Sequence, residues 1–170
     1  MNVQPPGDAD NRKTCNMKPL IVLLVTFTAS VLIFRLFSGS WNVCFSGNLA
    51  MCLMLCFTAM GHFMFTKGMA MMIPAFIPYR TGWVYATGVL EILFGIALMF
   101  APTRYYSGWA LIIFFTLILP TNIYAAIKHL NIEKGTFDGP GPQYLWFRIP
   151  MQLFLIAWIL YFSINGNVYP

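Results

Sequence analysis

The stretch "RIPMQLFLIAWILYFSI" (Arg148–Ile164) decides how this chain folds. From Met151 onward it is almost wholly apolar and long enough to cross most of a bilayer as a helix. A spanning segment needs about 20 such residues, because the hydrocarbon core is about 30 Å thick. Yet its mouth carries Arg148 and, one helical turn deeper, Gln152. Polar groups at that depth are costly, so the run asks both for a membrane and for partners to its polar residues.

Working outward, the same kind of run recurs. "PLIVLLVTFTASVLIFRLF" (Pro19–Phe37) is the first, followed by apolar spans near residues 47–66, 83–101, 106–127 and 145–164. Pro19–Phe37 is too long for a signal-peptide core and no small-residue cleavage site follows it, so it reads as an uncleaved helix. Residues 1–18, with "QPPGDAD" and then Arg12, Lys13 and Lys18, read as a polar, disordered cytoplasmic tail. The connectors "SGSWN", "APTRYYSG" and "EKGTFDGPGP" have turn and loop chemistry. The connector "GMAMMIPAFIPYRTG" (Gly68–Gly82) is apolar but broken by Pro74 and Pro78. It is therefore not one continuous helix, and reads as either an interfacial or a re-entrant segment.

Composition agrees with this pattern. Of 170 residues, 59% are hydrophobic and 9% charged, with a mean hydropathy of +0.70. Soluble domains carry roughly a quarter charged residues. The net charge of +5 is not a nucleic-acid footprint, since no basic stripe with interleaved aromatics accompanies it. The four cysteines (Cys15, Cys44, Cys52, Cys56) lack CxxC spacing, and neither they nor the methionines of "MAMMIP" form a metal motif. Cys52 and Cys56 share a helix face and read as packing residues. His129 reads as a solvated residue beyond the fourth span.

Lys and Arg set the expected orientation. With the N-terminus cytoplasmic, Arg12, Lys13, Lys18, Lys67, Arg80, Lys128, Lys134 and Arg148 fall inside, and only Arg35 and Arg104 fall outside. That bias predicts a multi-pass protein of a plasma or inner membrane, N-terminus cytoplasmic and C-terminus extracytoplasmic.

In that frame the costly residues gather. Glu91, in "YATGVLEILFGIALMF", lies roughly 12 Å from its helix start. His62 is about 6 Å deep, Asn122 about 8 Å and Gln152 about 10 Å, all from the inner side. The pattern predicts a polar cluster of His62, Glu91, Asn122, Arg148 and Gln152 in the inner half of a helix bundle. Glu91 must be paired or held neutral, and Arg148, with Gln152 bridging, is the expected partner. Gly88 and Gly95 flank Glu91 on the same face and allow close helix approach. Pro150 suits the first turn of a helix, which would add a positive helix end beside Arg148.

The segments "GHF" (Gly61–Phe63), "MIPAFIP" (Met72–Pro78), "ATGVLEILFGIALM" (Ala86–Met99), "LPTNIYAAI" (Leu119–Ile127) and "WFRIPMQLFLIAW" (Trp146–Trp158) occur in an order that resembles the DoxX family of small membrane proteins. The resemblance covers about residues 47–165. It implies an all-α membrane protein, a four-helix transmembrane bundle with an extra N-terminal transmembrane helix at 19–37. It also implies that His62, Glu91, Asn122, Arg148 and Gln152 occupy the positions the family keeps. The name-giving member is linked to a thiosulfate:quinone oxidoreductase as its small membrane subunit, and related proteins are called redox-associated. No dithiol, haem or flavin motif accompanies the resemblance here.

Three functions fit these residues. The first is a redox-associated membrane subunit, working with a membrane or redox partner and binding a quinone or similar lipophilic ligand. Arg148, Gln152 and His62 would hold its carbonyl oxygens and Glu91 would handle a proton. The second is a non-enzymatic assembly or partner-binding protein whose polar cluster is structural. The third is a small transporter or lipid-isomerising enzyme, since a carboxyl group and an imidazole in an apolar pocket can move protons.

Overall fold

In lipid a backbone N–H or C=O has no water to bond, so long apolar runs close their hydrogen bonds internally as helices. The computed structural model describes residues 7–39, 41–74, 76–139 and 141–167. Six helices follow in order: α1 (Gly7–Ser38), α2 (Val43–Met64), α3 (Thr66–Met71), α4 (Arg80–Ala97), α5 (Ala101–Ile127) and α6 (Gln143–Ile159). A π-helical turn, Leu160–Ile164, and a short 3-10 turn, Asn165–Asn167, continue α6. Among the described residues the β-type pairing is one isolated bridge, Asn131 to Thr136.

The protein is an all-α membrane bundle. Four stretches are long and apolar enough to cross a membrane: Met17–Phe37, Val43–Met64, Ala101–Ile127 and Leu145–Ile164. Helix α4 is shorter and carries Glu91, but its outward face is apolar, with Val89, Leu90, Leu93 and Ile96 exposed. The opposite face, Val84, Gly88, Glu91 and Gly95, is buried. That spacing is one stripe of a helix turned toward its neighbours.

Two sequence expectations change. The tail read as disordered over 1–18 is helical from Gly7, and its first six residues lie outside the described residues. The apolar run that follows extends its helical path back past Pro19, which a helix embedded in lipid tolerates. Pro150 does not open α6 but lies inside it, after a start at Gln143. Arg148 and Gln152 are thus interior residues, and no positive helix end stands beside them.

Helix α2 is the hub, packing most extensively on α4 and α1. Its approach to α4 requires Gly88, where an added Cβ would stand 2.9 Å from His62 Cβ. The apolar core lies toward the end holding the α1–α2 and α4–α5 connections. There Met51, Leu55, Leu111 and Ile159 are buried, and Phe27 of α1 packs edge-on to Trp158 at 5.0 Å.

The other end is capped. The connector after α2 forms α3 and a turn, and Gly68 lets α3 lie directly against the Ile132 carbonyl of the α5–α6 loop. Met72, Ala125 and Leu130 make a second apolar cluster beneath this cap. Within the loop, the Gly139 N–H donates to the His129 carbonyl at 2.6 Å. Thr136 donates to Asp138 and holds its carboxyl below the usual range. That tie is present above the ordinary carboxylate range and is lost as pH falls through the lowered value.

Gly88→Val should destabilise the bundle by about 1 to 3 kcal/mol, the usual cost of overpacking a tight contact. Leu93→Val on the outward face should shift stability by roughly 0.5 kcal/mol or less. Denaturation of the purified protein in detergent, with both variants side by side, checks the contrast.

Candidate functional site

Toward the capped end, residues of α1, α2, α4, α5 and α6 line a cavity of about 500 Å³. All five of His62, Glu91, Asn122, Arg148 and Gln152 line it. The rest of the wall is mainly apolar, with Met54, Met151 and Phe115 among it, and Met69 of α3 and Ile132 of the α5–α6 loop line it as well.

Glu91 is 5% exposed, and its two oxygens face two residues of α2. Oε1 lies 3.5 Å from His62 Nε2. Oε2 lies 2.9 Å from Thr58 Oγ1, which also stands 2.9 Å from the Leu55 carbonyl. Both carboxyl oxygens thus have partners on α2, and Gln152, expected to bridge to them, does not. Gly88 and Gly95 draw α2 onto the Glu91 face of α4, so α2 supplies the partners. Gln152 turns the other way, and its amide nitrogen donates to the Phe115 carbonyl of α5. Arg148 is half-buried at the cavity edge.

The histidine tautomer follows from its neighbours. His62 Nδ1 lies 3.1 Å from the Val84 carbonyl, which only accepts. Nδ1 therefore carries a hydrogen, and the Thr87 hydroxyl, 3.1 Å away, receives its share while bonding Val84 and Trp83 carbonyls. With Nδ1–H fixed, Nε2 and Glu91 Oε1 need one proton between them, or two lone pairs would face each other. The pair holds that proton either as carboxylic acid with neutral imidazole or as carboxylate with imidazolium.

Thr58 and Thr87 were absent from the residues singled out in the sequence, although a signal existed. Thr58 precedes His62 by four on α2 and Thr87 precedes Glu91 by four on α4, so each threonine shares a face with one member of the pair and bonds the other across the helix interface. A second polar set lies at the far end. Asn48 Nδ2 donates to the Phe162 carbonyl at 3.0 Å, and the Ser163 hydroxyl donates to Asn48 Oδ1 at 2.7 Å. Cys44 Sγ also reaches the Phe162 carbonyl, at 3.1 Å. The π turn there leaves a carbonyl for these residues to satisfy. Cys44, Cys52 and Cys56 are free thiols.

A double-mutant cycle of His62→Ala and Glu91→Gln, read as stability in detergent, should show coupling of about 0.5 to 3 kcal/mol. The same cycle with Arg148→Ala and Glu91→Gln should be additive within about 0.5 kcal/mol. Coupling in the Arg148 cycle with none in the His62 cycle would mean that α6, not α2, holds the carboxyl group.

No curated protein and no solved structure matches the chain. A family model described as a domain of unknown function (DUF8561) matches residues 51–163, which takes in all five cavity residues and leaves α1 ahead of it. Since that match spans most of the chain, the protein belongs to the family of this domain of unknown function.

Proposed function

We propose that the protein is a DoxX-like, redox-associated membrane subunit that binds a quinone-like or other lipophilic ligand in the cavity beneath the α3 cap. The observation that carries this reading is the cavity itself. Its volume of about 500 Å³ suits a small amphiphile, since ligand pockets run from roughly 300 to 1,000 Å³. Its wall is greasy, and its polar residues come from five helices and the α5–α6 loop, Lys18 of α1 and Glu133 among them. Such a wall takes an apolar tail, while the polar group fixes a head.

In this reading the His62–Glu91 pair exchanges its single proton with the head group, and the α3 cap keeps water from the exchange. The N-terminus is cytoplasmic, α4 also spans, and the cavity lies in the cytoplasmic half. A second reading has its own support. Both Glu91 oxygens already have partners in α2, so that carboxyl group needs no ligand. A non-enzymatic assembly or partner-binding protein would use the pair only to lock α2 to α4.

Tail length separates the two readings. In thermal-shift and direct-binding assays on the purified protein, lipophilic compounds sharing one head should bind more tightly as the tail lengthens, because each buried CH₂ contributes about 0.8 kcal/mol. Arg148→Ala should weaken binding without unfolding the protein. A wild type indifferent to every tail length leaves the locking role in possession.

The orientation is tested separately. Reporter fusions or cysteine accessibility should put residues before α1 inside and residues after α6 outside, as eight of ten Lys and Arg require. Both ends on one side would remove one span from the bundle.

A further inference from the structure

Two oxygens among the cavity residues have no hydrogen-bond partner: Asn122 Oδ1 and Gln152 Oε1. Neither is a surface atom, since Asn122 is 1% exposed and Gln152 is 8% exposed. Buried polar atoms without partners are rare, and each one needs a physical reason.

The neighbours decide which end of each amide is oxygen. Asn122 Nδ2 stands 3.3 Å from the Ile118 carbonyl, and Gln152 Nε2 donates to the Phe115 carbonyl. A carbonyl only accepts, so an NH₂ group must lie at both places. Turning either amide over would set oxygen against oxygen. With the nitrogens committed to the α5 backbone, the oxygens are the unpartnered ends of two residues that line the cavity, buried just behind its surface.

The other polar atoms whose partners are resolved offer little further acceptance. Glu91 Oε1 and Oε2 are engaged by His62 and Thr58, and His62 Nδ1 by Val84. The two amide oxygens are thus buried acceptors left unmet among the cavity residues, which also include Lys18, Glu133 and Arg148, and what these two oxygens demand is a donor.

We infer that the site selects a lipophilic compound whose head donates hydrogen bonds, a hydroxyl-bearing head such as a quinol ring or a lipid alcohol, over the corresponding carbonyl form. This inference rests on the reading of the cavity as a lipophilic-ligand site and names the ligand class within it. A quinone carbonyl set against Asn122 and Gln152 would meet oxygens. A hydroxyl at the same place closes the bond that each amide lacks, and leaving such a group unmet is what a site rejects most strongly.

The test compares heads on one tail. The purified full-length protein in detergent is titrated without oxygen with a decyl-substituted benzoquinol, the matching benzoquinone and 1-dodecanol. Fluorescence of Trp83, which lines the cavity, and equilibrium dialysis both read binding. The quinol should bind about ten-fold more tightly than the quinone, the selectivity that about 1.4 kcal/mol gives. Dodecanol binding like the quinol would support the donor class and identify a lipid alcohol as its source; quinol binding alone would support it and identify an aromatic diol. Asn122→Leu with Gln152→Met should bring quinol and quinone within about two-fold of each other by removing both acceptors. The wild-type ratio decides the matter even if that double variant fails to fold. A quinone bound as tightly as the quinol overturns the donor inference and leaves the lipophilic site standing. No binding by any of the three, with water alone answering the two oxygens, overturns the inference and the ligand site together.

Discussion

A carboxyl group inside an apolar bundle has to be answered by another side chain, and here His62 answers Glu91. The contact is possible because Gly88 lets the backbone of α4 come up to the His62 side chain. Much else follows from that approach. It fixes α2 against α4, turns the polar stripe of α4 inward and leaves its apolar stripe outward. It also commits Thr58 and Thr87 to holding the pair. Removing the carboxyl group's partner would leave a buried polar group unmet, which is among the costliest single changes in a low-dielectric interior.

Once α2 has been claimed by α4, α5 and α6 are left to face each other across the remaining space. Gln152 and Asn122 send their nitrogens to carbonyls of α5 that its helix already uses, and so hold their oxygens away from it. Pro120 in α5 and Pro150 in α6 each remove a backbone donor in the same region. The cavity is therefore no accident of loose packing. It lies between a helix pair closed tightly at Gly88 and a second pair, α5 and α6, that Gln152 ties together at the Phe115 carbonyl.

The helical class was legible because lipid allows few alternatives: an apolar run bounded by Gly, Pro and charges reads as a helix in almost any context. The gathering of His62, Glu91, Asn122, Arg148 and Gln152 was legible from depth alone, since four helices crossing one slab put residues of equal depth at equal height. Partner choice was not legible. Depth gives height along the bundle but not rotation about each helix axis, so Arg148 looked as suitable for Glu91 as His62 did. The clue that fixes rotation is the glycine stripe, which points Glu91 toward whichever helix comes closest. Pro150 misled for a related reason: a proline suits a first turn, but a membrane helix also accepts it in its interior.

The π turn at Leu160–Ile164 gives the bundle two unequal ends. At that end Asn48 and Cys44 of α2 bond the Phe162 carbonyl, Ser163 donates to Asn48 Oδ1, and the Trp158 indole donates to the Gly47 carbonyl at 3.0 Å. Ser30 adds a bond from α1 to Ser46. At the other end, α6 meets its neighbours around an empty volume. The polar ties between α6 and α2 therefore concentrate around Phe162, whereas Gln152 and Arg148 border the cavity toward the opposite end of the helix.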